Sequence, residues 1–360
     1  MIAQASTKKV LDGVPLDPDE ALELYRGAEL PALGMLADEV RRRLHDRDGH
    51  ENPVVTYIID RNINPTNVCV TDCGFCAFYR RPGDREGYVL DREQIWRKID
   101  ELRAAGGIQV LMQGGHHPYL KTEWFAGLFA EIKARYPDIW IHGLSPPEIV
   151  HLARLEKRSV AEVIGELHEA GLDSIPGGGA EILVDRVRDI ISPKKATTGE
   201  WLSVMREAAG LGLRTTATMM FGHVETEAER IEHLTRIREL QEETGVFTAF
   251  IPWTFQPEHT PMARDWEKAH RKASSAEYLR MLAMSRIFLH NIDNLQASWV
   301  TQGIKVCQVG LSLGANDFGS AMLEENVVSS AGCDHMTSVA EIERHIQDAG
   351  FTPRRRNMLY

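Results

Sequence analysis

The sequence is sparing with cysteine, with positive charge and with long apolar runs. Its 360 residues include five cysteines, an odd number, and three are bunched between positions 69 and 76. That distribution excludes a disulfide framework. No stretch approaches the roughly 18 apolar residues of a membrane span. The opening segment MIAQASTKKVLDGVP lacks an apolar h-region and a small-residue cleavage site, so no secretory leader is expected. Lys and Arg number 41 against 52 Asp and Glu, a formal net charge of -11. Such a balance gives no general attraction for nucleic acid or anionic membrane. The basic runs Arg41–Arg43 and Arg354–Arg356 are read as solvated surface. Repeats, low-complexity tracts and clear linkers are lacking too. The expectation is a soluble cytoplasmic protein with neither nucleic-acid nor membrane partners.

What is present is alternation. Residues 1–50 read as a polar helical extension, a lid or collar, with Asp17 capping a helix that carries Pro18 in its first turn. Leu33, Leu36 and Val40 then repeat at helical spacing. From Val54 onward, β-rich runs alternate with amphipathic stretches. Strands are expected in VVTYIIDRNIN, GIQVLMQGG, IWIHGL, LDSIPGGG, LRTTATMMFG, FTAFIPW and LQASWV, with a weak eighth in LSLGANDFG. Helices are expected at 91–105, 122–136, 146–155, 160–170, 199–209, 227–243 and 276–290. Strands alternating with helices require right-handed crossovers and a parallel sheet. About eight such units predict an α/β fold of (β/α)8 TIM type over residues 51–330. Residues 331–360 are expected to be a C-terminal helix and tail packed on the barrel. An open six-unit barrel with an appendage is the other architecture considered.

The chemically unusual clusters follow strands rather than helices: the cysteine loop, QGGHHP, SPPE, PGGGAE, GHVE and WTFQPEHTP. Barrel enzymes carry their site on that face. Within VCVTDCGFCAFYR, Cys69, Cys73 and Cys76 have CxxxCxxC spacing. Structural zinc takes four protein ligands, and Cys307 and Cys333 are isolated. A [4Fe–4S] cluster normally takes four thiolates, so three leave one iron open to another ligand. This spacing, with Phe75 before the last cysteine, resembles the signature of the radical S-adenosylmethionine (SAM) superfamily, where SAM chelates the open iron.

TYIIDRNINPTNVC, CAFYRRPG, VLMQGG, SPPEI, DSIPGGGAEILVDRVR, ISPKK, LRTTATMMFGHVET, FTAFIPWTFQP and GANDFGS resemble one branch of that superfamily. It comprises the futalosine-pathway menaquinone enzymes and the deazaflavin (F420) cofactor synthases, and the similarity is greatest to the dehypoxanthine futalosine cyclases. The resemblance implies a [4Fe–4S] cluster on Cys69, Cys73 and Cys76, SAM, and an electron donor such as flavodoxin or ferredoxin. It implies that a 5′-deoxyadenosyl radical takes hydrogen from C4′ of dehypoxanthine futalosine, and that C4′ then closes onto the benzoate ring. It places Phe75 and Tyr79 near the adenine, Gln113, Gly114 and Gly115 near the SAM amino group, and Ser145 and Glu181 about the SAM ribose. Cyclisation needs a proton acceptor, for which His116, His223, Glu225 and Asp317 are candidates. Arg214 or Lys194–Lys195 would pair with the benzoate carboxylate, and Trp253 and Gln256 would bound the substrate ring. The alternatives are an aminofutalosine synthase or deazaflavin synthase subunit, a sulfur inserter needing a second cluster, and a zinc-stabilised module without catalysis.

Overall fold

The computed structural model describes residues 2–46, 53–265 and 272–360; the boundary expected at residue 50 lies outside them. Ten strands carry the fold: β1 (Val54–Ile58), β2 (Asp60–Ile63), β3 (Gln109–Met112), β4 (Trp140–Gly143), β5 (Ser174–Ile175), β6 (Arg214–Phe221), β7 (Phe247–Thr254), β8 (Asn294–Leu295), β9 (Asp317–Ser320) and β10 (Thr352–Arg355). Strands β2 to β8 form one parallel sheet in chain order. The sheet curls until β9 lies between its β8 end and β1, the strand that leads into β2. On one side β9 bridges Gln296 of the β8 segment through Asp317, and on the other it pairs with β1. This is the expected (β/α)8 arrangement, seven strands in one ladder and β9 completing the round.

Helices between the strands begin where the sequence places caps. Asp91/Gln94, Ser159/Glu162, Thr197/Glu200 and Thr226/Glu229 each form a reciprocal capping box. Each box satisfies two backbone N–H groups that would otherwise lack partners at a helix start. Asp17 does the same with Glu20, behind Pro18.

Tertiary contacts overrule the sequence in three places and choose between two expectations in a fourth. Of LQASWV only Leu295 lies in the strand Asn294–Leu295, because the Ser298 N–H donates to the Tyr278 phenol at 2.7 Å and the chain turns into helix Trp299–Gln302. The polar segment Thr352–Arg355, with no apolar alternation, becomes an edge strand paired parallel with β1. Neither basic run is wholly solvated. Arg41, 1% exposed, sits between Asp38 (2.9 Å) and Asp46 (3.0 Å). Arg356 grips Asp317 with two bonds, 2.5 and 3.0 Å, and lies 3.8 Å from the Tyr360 ring centre. Lastly, the N-terminal helices are a collar and not a lid. Arg280 donates to the carbonyls of Tyr25 and Ala28, 2.8 and 2.7 Å, fastening them to the outer helix Ser275–Phe288.

Asp317 also accepts from Thr56 Oγ1 at 2.6 Å, so one carboxylate ties β9 to β1 and to the tail. Removing one partner of a buried ion pair strands the other charge. Asp317→Ala is expected to lower unfolding stability by about 3–5 kcal/mol in denaturant titration. Asp12→Ala, which breaks an exposed pair with Lys8, should leave the midpoint unmoved.

Candidate functional site

A barrel of this kind is usually filled by layers of branched aliphatic side chains. Here the inward positions alternate along the strands as Asp60 and Asn62, Gln109 and Leu111, Thr216 and Thr218, Ile251 and Trp253, and they bound a chamber of about 270 Å³. Above it, at the strand C-termini, lies a second cavity of about 190 Å³. Asn62, Gln113, Gly178, Trp253 and Val327 border both, so the two adjoin.

Cys69, Cys73 and Cys76 all line the upper cavity. Thr71 Oγ1 sits 3.0 Å from the Cys69 sulfur and 3.5 Å from that of Cys73. The loop is held by backbone bonds to three places. Gly115 N–H donates to Thr66 O (2.8 Å), Val70 N–H to His116 O (3.1 Å), and Gly74 N–H to Ile191 O (2.8 Å). Contact with the QGG turn is close enough to require glycine. A Cβ on Gly115 would stand 2.3 Å from the Val68 carbonyl oxygen, and one on Gly114 2.9 Å from that of Thr66.

These residues fit an iron–sulfur cluster that leaves one iron to SAM. Burial pushes the Cys73 thiol up to about 12 and raises that of Cys76. Such sulfurs become thiolates when a metal meets them. Cys307 and Cys333 line neither cavity; Cys333 donates to Val300 O at 3.0 Å. Among the described residues no three His, Cys, Asp or Glu donors converge on a single-ion site. The opposite wall offers Glu181, φ +40°, whose Oε1 accepts from Lys195 Nζ at 3.0 Å. Its Oε2 is buried without a hydrogen-bond partner, with Arg188 Nη1 at 3.7 Å. Glu181 lines the cavity with one carboxylate oxygen lacking a hydrogen-bond partner, which leaves acceptor capacity that matches a ligand hydroxyl.

Phe75, Tyr79, Gln113, Gly114, Gly115, His116, Ser145 and Glu181 line the upper cavity, and Trp253 lines both. Lys195 lines it too, its Nζ 5.2 Å over the Phe75 ring, so the lysine considered for the benzoate stands among the cluster and SAM groups. Lys194 is exposed and paired with Asp72 at 2.8 Å.

Five candidates lie elsewhere. His223 and Glu225 contact each other at 3.0 Å behind the barrel wall, and Arg230 binds Glu225 at 2.8 Å. They close the turn after β6 and border neither cavity. Asp317 is consumed by Arg356 and Thr56. Arg214 is exposed at the start of β6, the face opposite the site. Gln256 donates to the Thr254 carbonyl and hydroxyl at 3.0 Å and faces away from both cavities.

Two buried acids escaped the sequence. Glu148 accepts from Gly114 N–H (2.9 Å) and from Ser145 N–H (2.8 Å) and hydroxyl (2.5 Å), so it holds the QGG turn. SPPE has the capping-box spacing that would have found it. Asp60 projects into the chamber; its trace is the polar alternation Asp60, Asn62, Asn64 in an apolar run.

Fold and cavity together define a radical SAM barrel enzyme, and comparison with known proteins agrees. Residues 63–237 match the radical SAM superfamily, and residues 244–360 match the CofH/MqnC C-terminal region. Cyclic dehypoxanthine futalosine synthase of Streptomyces coelicolor is 47% identical over 100% of this chain and 90% of its own length. That of Halalkalibacterium halodurans is 44% identical over 98% and 93%. A 5-amino-6-(D-ribitylamino)uracil–L-tyrosine 4-hydroxyphenyl transferase of Methanosarcina acetivorans is 42% identical over 95% and 89%. Among solved structures, methylornithine synthase superposes with a TM-score of 0.75 at 19% identity, covering 97% of both chains. The hydrogenase maturase HydG gives 0.74 at 14%, covering 98% of this chain and 75% of that one. The chain belongs to the CofH/MqnC family of the radical SAM superfamily, whose enzymes use a [4Fe–4S] cluster and SAM.

Two outcomes follow. Gly115→Ala should displace the cysteine loop and lower iron bound on anaerobic reconstitution, whereas Gly165→Ala, in open space, should not. Burial raises the Glu148 carboxyl to about 7, against an ordinary 4.5. The folded state therefore keeps a proton that the unfolded chain has released, and stability falls as pH rises from 4.5 to about 7. Glu148→Gln should flatten that stretch of the urea midpoint against pH.

Proposed function

We propose that the chain is a cyclase that closes dehypoxanthine futalosine onto its own benzoate ring. One observation carries this: the thiol-lined cavity adjoins a second chamber inside the barrel, with Asn62, Gln113, Gly178, Trp253 and Val327 bordering both, where a substrate C–H bond can be presented directly to SAM. Similarity at 47% and 44% to the two cyclic dehypoxanthine futalosine synthases supports that substrate.

When bound, the cluster and SAM supply a primary carbon radical able to take hydrogen from an unactivated C–H bond. The chain's own residues position and shield. Cys69, Cys73 and Cys76 would hold three irons. Phe75 and Tyr79 would border the adenine. Gln113 and the Gly114–Gly115 backbone, where no Cβ intrudes, would face the methionine end. Glu181 would accept a ribose hydroxyl, and Lys195 and Arg188 place positive charge against its carboxylate at 3.0 and 3.7 Å. Trp253, at the border, packs on the substrate ring. The barrel wall would hold the substrate against a radical that attacks misplaced neighbours. In the cell an electron donor such as flavodoxin or ferredoxin reduces the cluster.

The test is anaerobic reconstitution followed by incubation with SAM, dithionite and dehypoxanthine futalosine, read by mass spectrometry. Wild type should give 5′-deoxyadenosine and a product lighter than the substrate by two hydrogen atoms, and Cys73→Ala should give neither. Glu181→Gln should raise the KM for SAM more than it changes iron content. If only L-tyrosine with 5-amino-6-(D-ribitylamino)uracil is consumed, the chain is a transferase instead.

A further inference from the structure

Closure onto an aromatic ring creates a C–C bond at a carbon that still carries hydrogen. Aromaticity returns only when that hydrogen leaves as a proton and one electron departs. The chain must therefore hold a proton acceptor inside the chamber.

Four carboxylates border the two cavities among the described residues: Asp60, Glu148, Glu181 and Glu325. Three are already engaged. Glu148 braces the QGG turn, and Glu181 is paired with Lys195. Glu325 accepts the backbone N–H groups of Val327, Val328 and Ser329, each at 2.8 Å. Protonating Glu181 would break its ion pair and protonating Glu325 would release its loop, while Glu148 borders the upper cavity and not the chamber.

Asp60 differs. Its hydrogen-bond partners are neutral: the Ser320 hydroxyl on one oxygen and Gln109 Nε2, at 3.3 Å, on the other. A carboxylate so held can take a proton without stranding a charge. It also stands at the right height. Asn62, which borders both cavities, is two residues further along the same inward face, about 6.6 Å up the strand. The chamber's histidine is a weak base: burial lowers the His142 imidazole to about 3, and its Nδ1 lies 2.7 Å from Ser174 Oγ, which accepts from Trp140 Nε1 at 2.7 Å.

Resting on the cyclase function above, we propose that Asp60 is the proton acceptor of ring closure. The C4′–aryl bond forms and the attacked carbon's C–H bond breaks. Its proton goes to the Asp60 carboxylate and its electron pair rejoins the ring. The surplus electron leaves to a one-electron acceptor of the iron–sulfur class, the oxidised cluster. Burial raises the Asp60 carboxyl, which makes it a stronger base, while Arg356 limits the rise. The charged groups bearing on it are Arg356 of the tail and Asp317 of β9, with His142 of β4 in the same chamber.

The experiment uses reconstituted enzyme with SAM, dithionite and C4′-deuterated substrate. It reads iron content, deuterium in 5′-deoxyadenosine, and cyclic product per 5′-deoxyadenosine. Asp60→Asn should keep iron and deuterium transfer but lower that product ratio on the order of 10²-fold, with partial recovery in Asp60→Glu. The wild-type ratio should fall as pH drops through the Asp60 titration, and this arm stands even where Asp60→Asn fails to fold. An unchanged ratio in Asp60→Asn, or a wild-type ratio flat with pH, overturns the assignment. Loss of deuterium transfer together with product also overturns it, in favour of substrate holding. A wild type that leaves dehypoxanthine futalosine untouched sinks the cyclase function and, with it, this base; a wild type that cyclises separates the two.

Discussion

The packing of the cysteine loop on the turn after β3 is the constraint from which the site follows. Two glycines bring that turn within van der Waals reach of the Val68 and Thr66 carbonyls, and Gly115 and Val70 N–H groups bond across the contact. Glu148, from the next crossover, holds the turn by its Gly114 N–H. The three thiols thus take their places from backbone geometry rather than from contacts of their own. A flexible loop would have to be ordered by the cluster itself, at a cost in affinity.

Charge inside this barrel is arranged by pairing. A buried ion is tolerated only with a counter-ion and hydrogen bonds. Lys195 and Arg188 flank Glu181, and Arg356 meets Asp317. Burial would lower the lysine's pKa, but Glu181 outweighs it and the Lys195 ammonium is held above its ordinary range. A positive group beside the thiol cavity suits thiolates, which would otherwise repel one another. Asp60 is the chamber's exception, held by neutral partners, and that difference marks it for chemistry.

The barrel interior exchanges stability for space. Side chains such as Asn62, Gln109, Thr216 and Thr218 stand where aliphatic layers would ordinarily fill the core. The apolar core lies instead between sheet and outer helices, around residues such as Ile99, Phe129, Trp201 and Phe250. The tail then closes the floor. β10 extends the sheet beside β1, and Arg356, Met358 and Tyr360 line the chamber from below.

The sequence by itself determined what local chemistry controls. Capping boxes and alternating periods gave nearly every crossover helix and strand, because N–H groups at helix starts and inward faces of strands act over a few residues. The three cysteines were legible for the same reason: their spacing lies within one loop. Tertiary structure decided whatever depends on partners distant along the chain. Arg356 looks like surface until Asp317, 39 residues away, claims it. Thr352–Arg355 has no strand signal and is a strand only because β1 offers an edge. His223, Glu225 and Gln256 read as site residues, and each is turned away by a nearby partner. Asp60 reads as an oddity in an apolar run, and only closure of the barrel puts it inside a chamber.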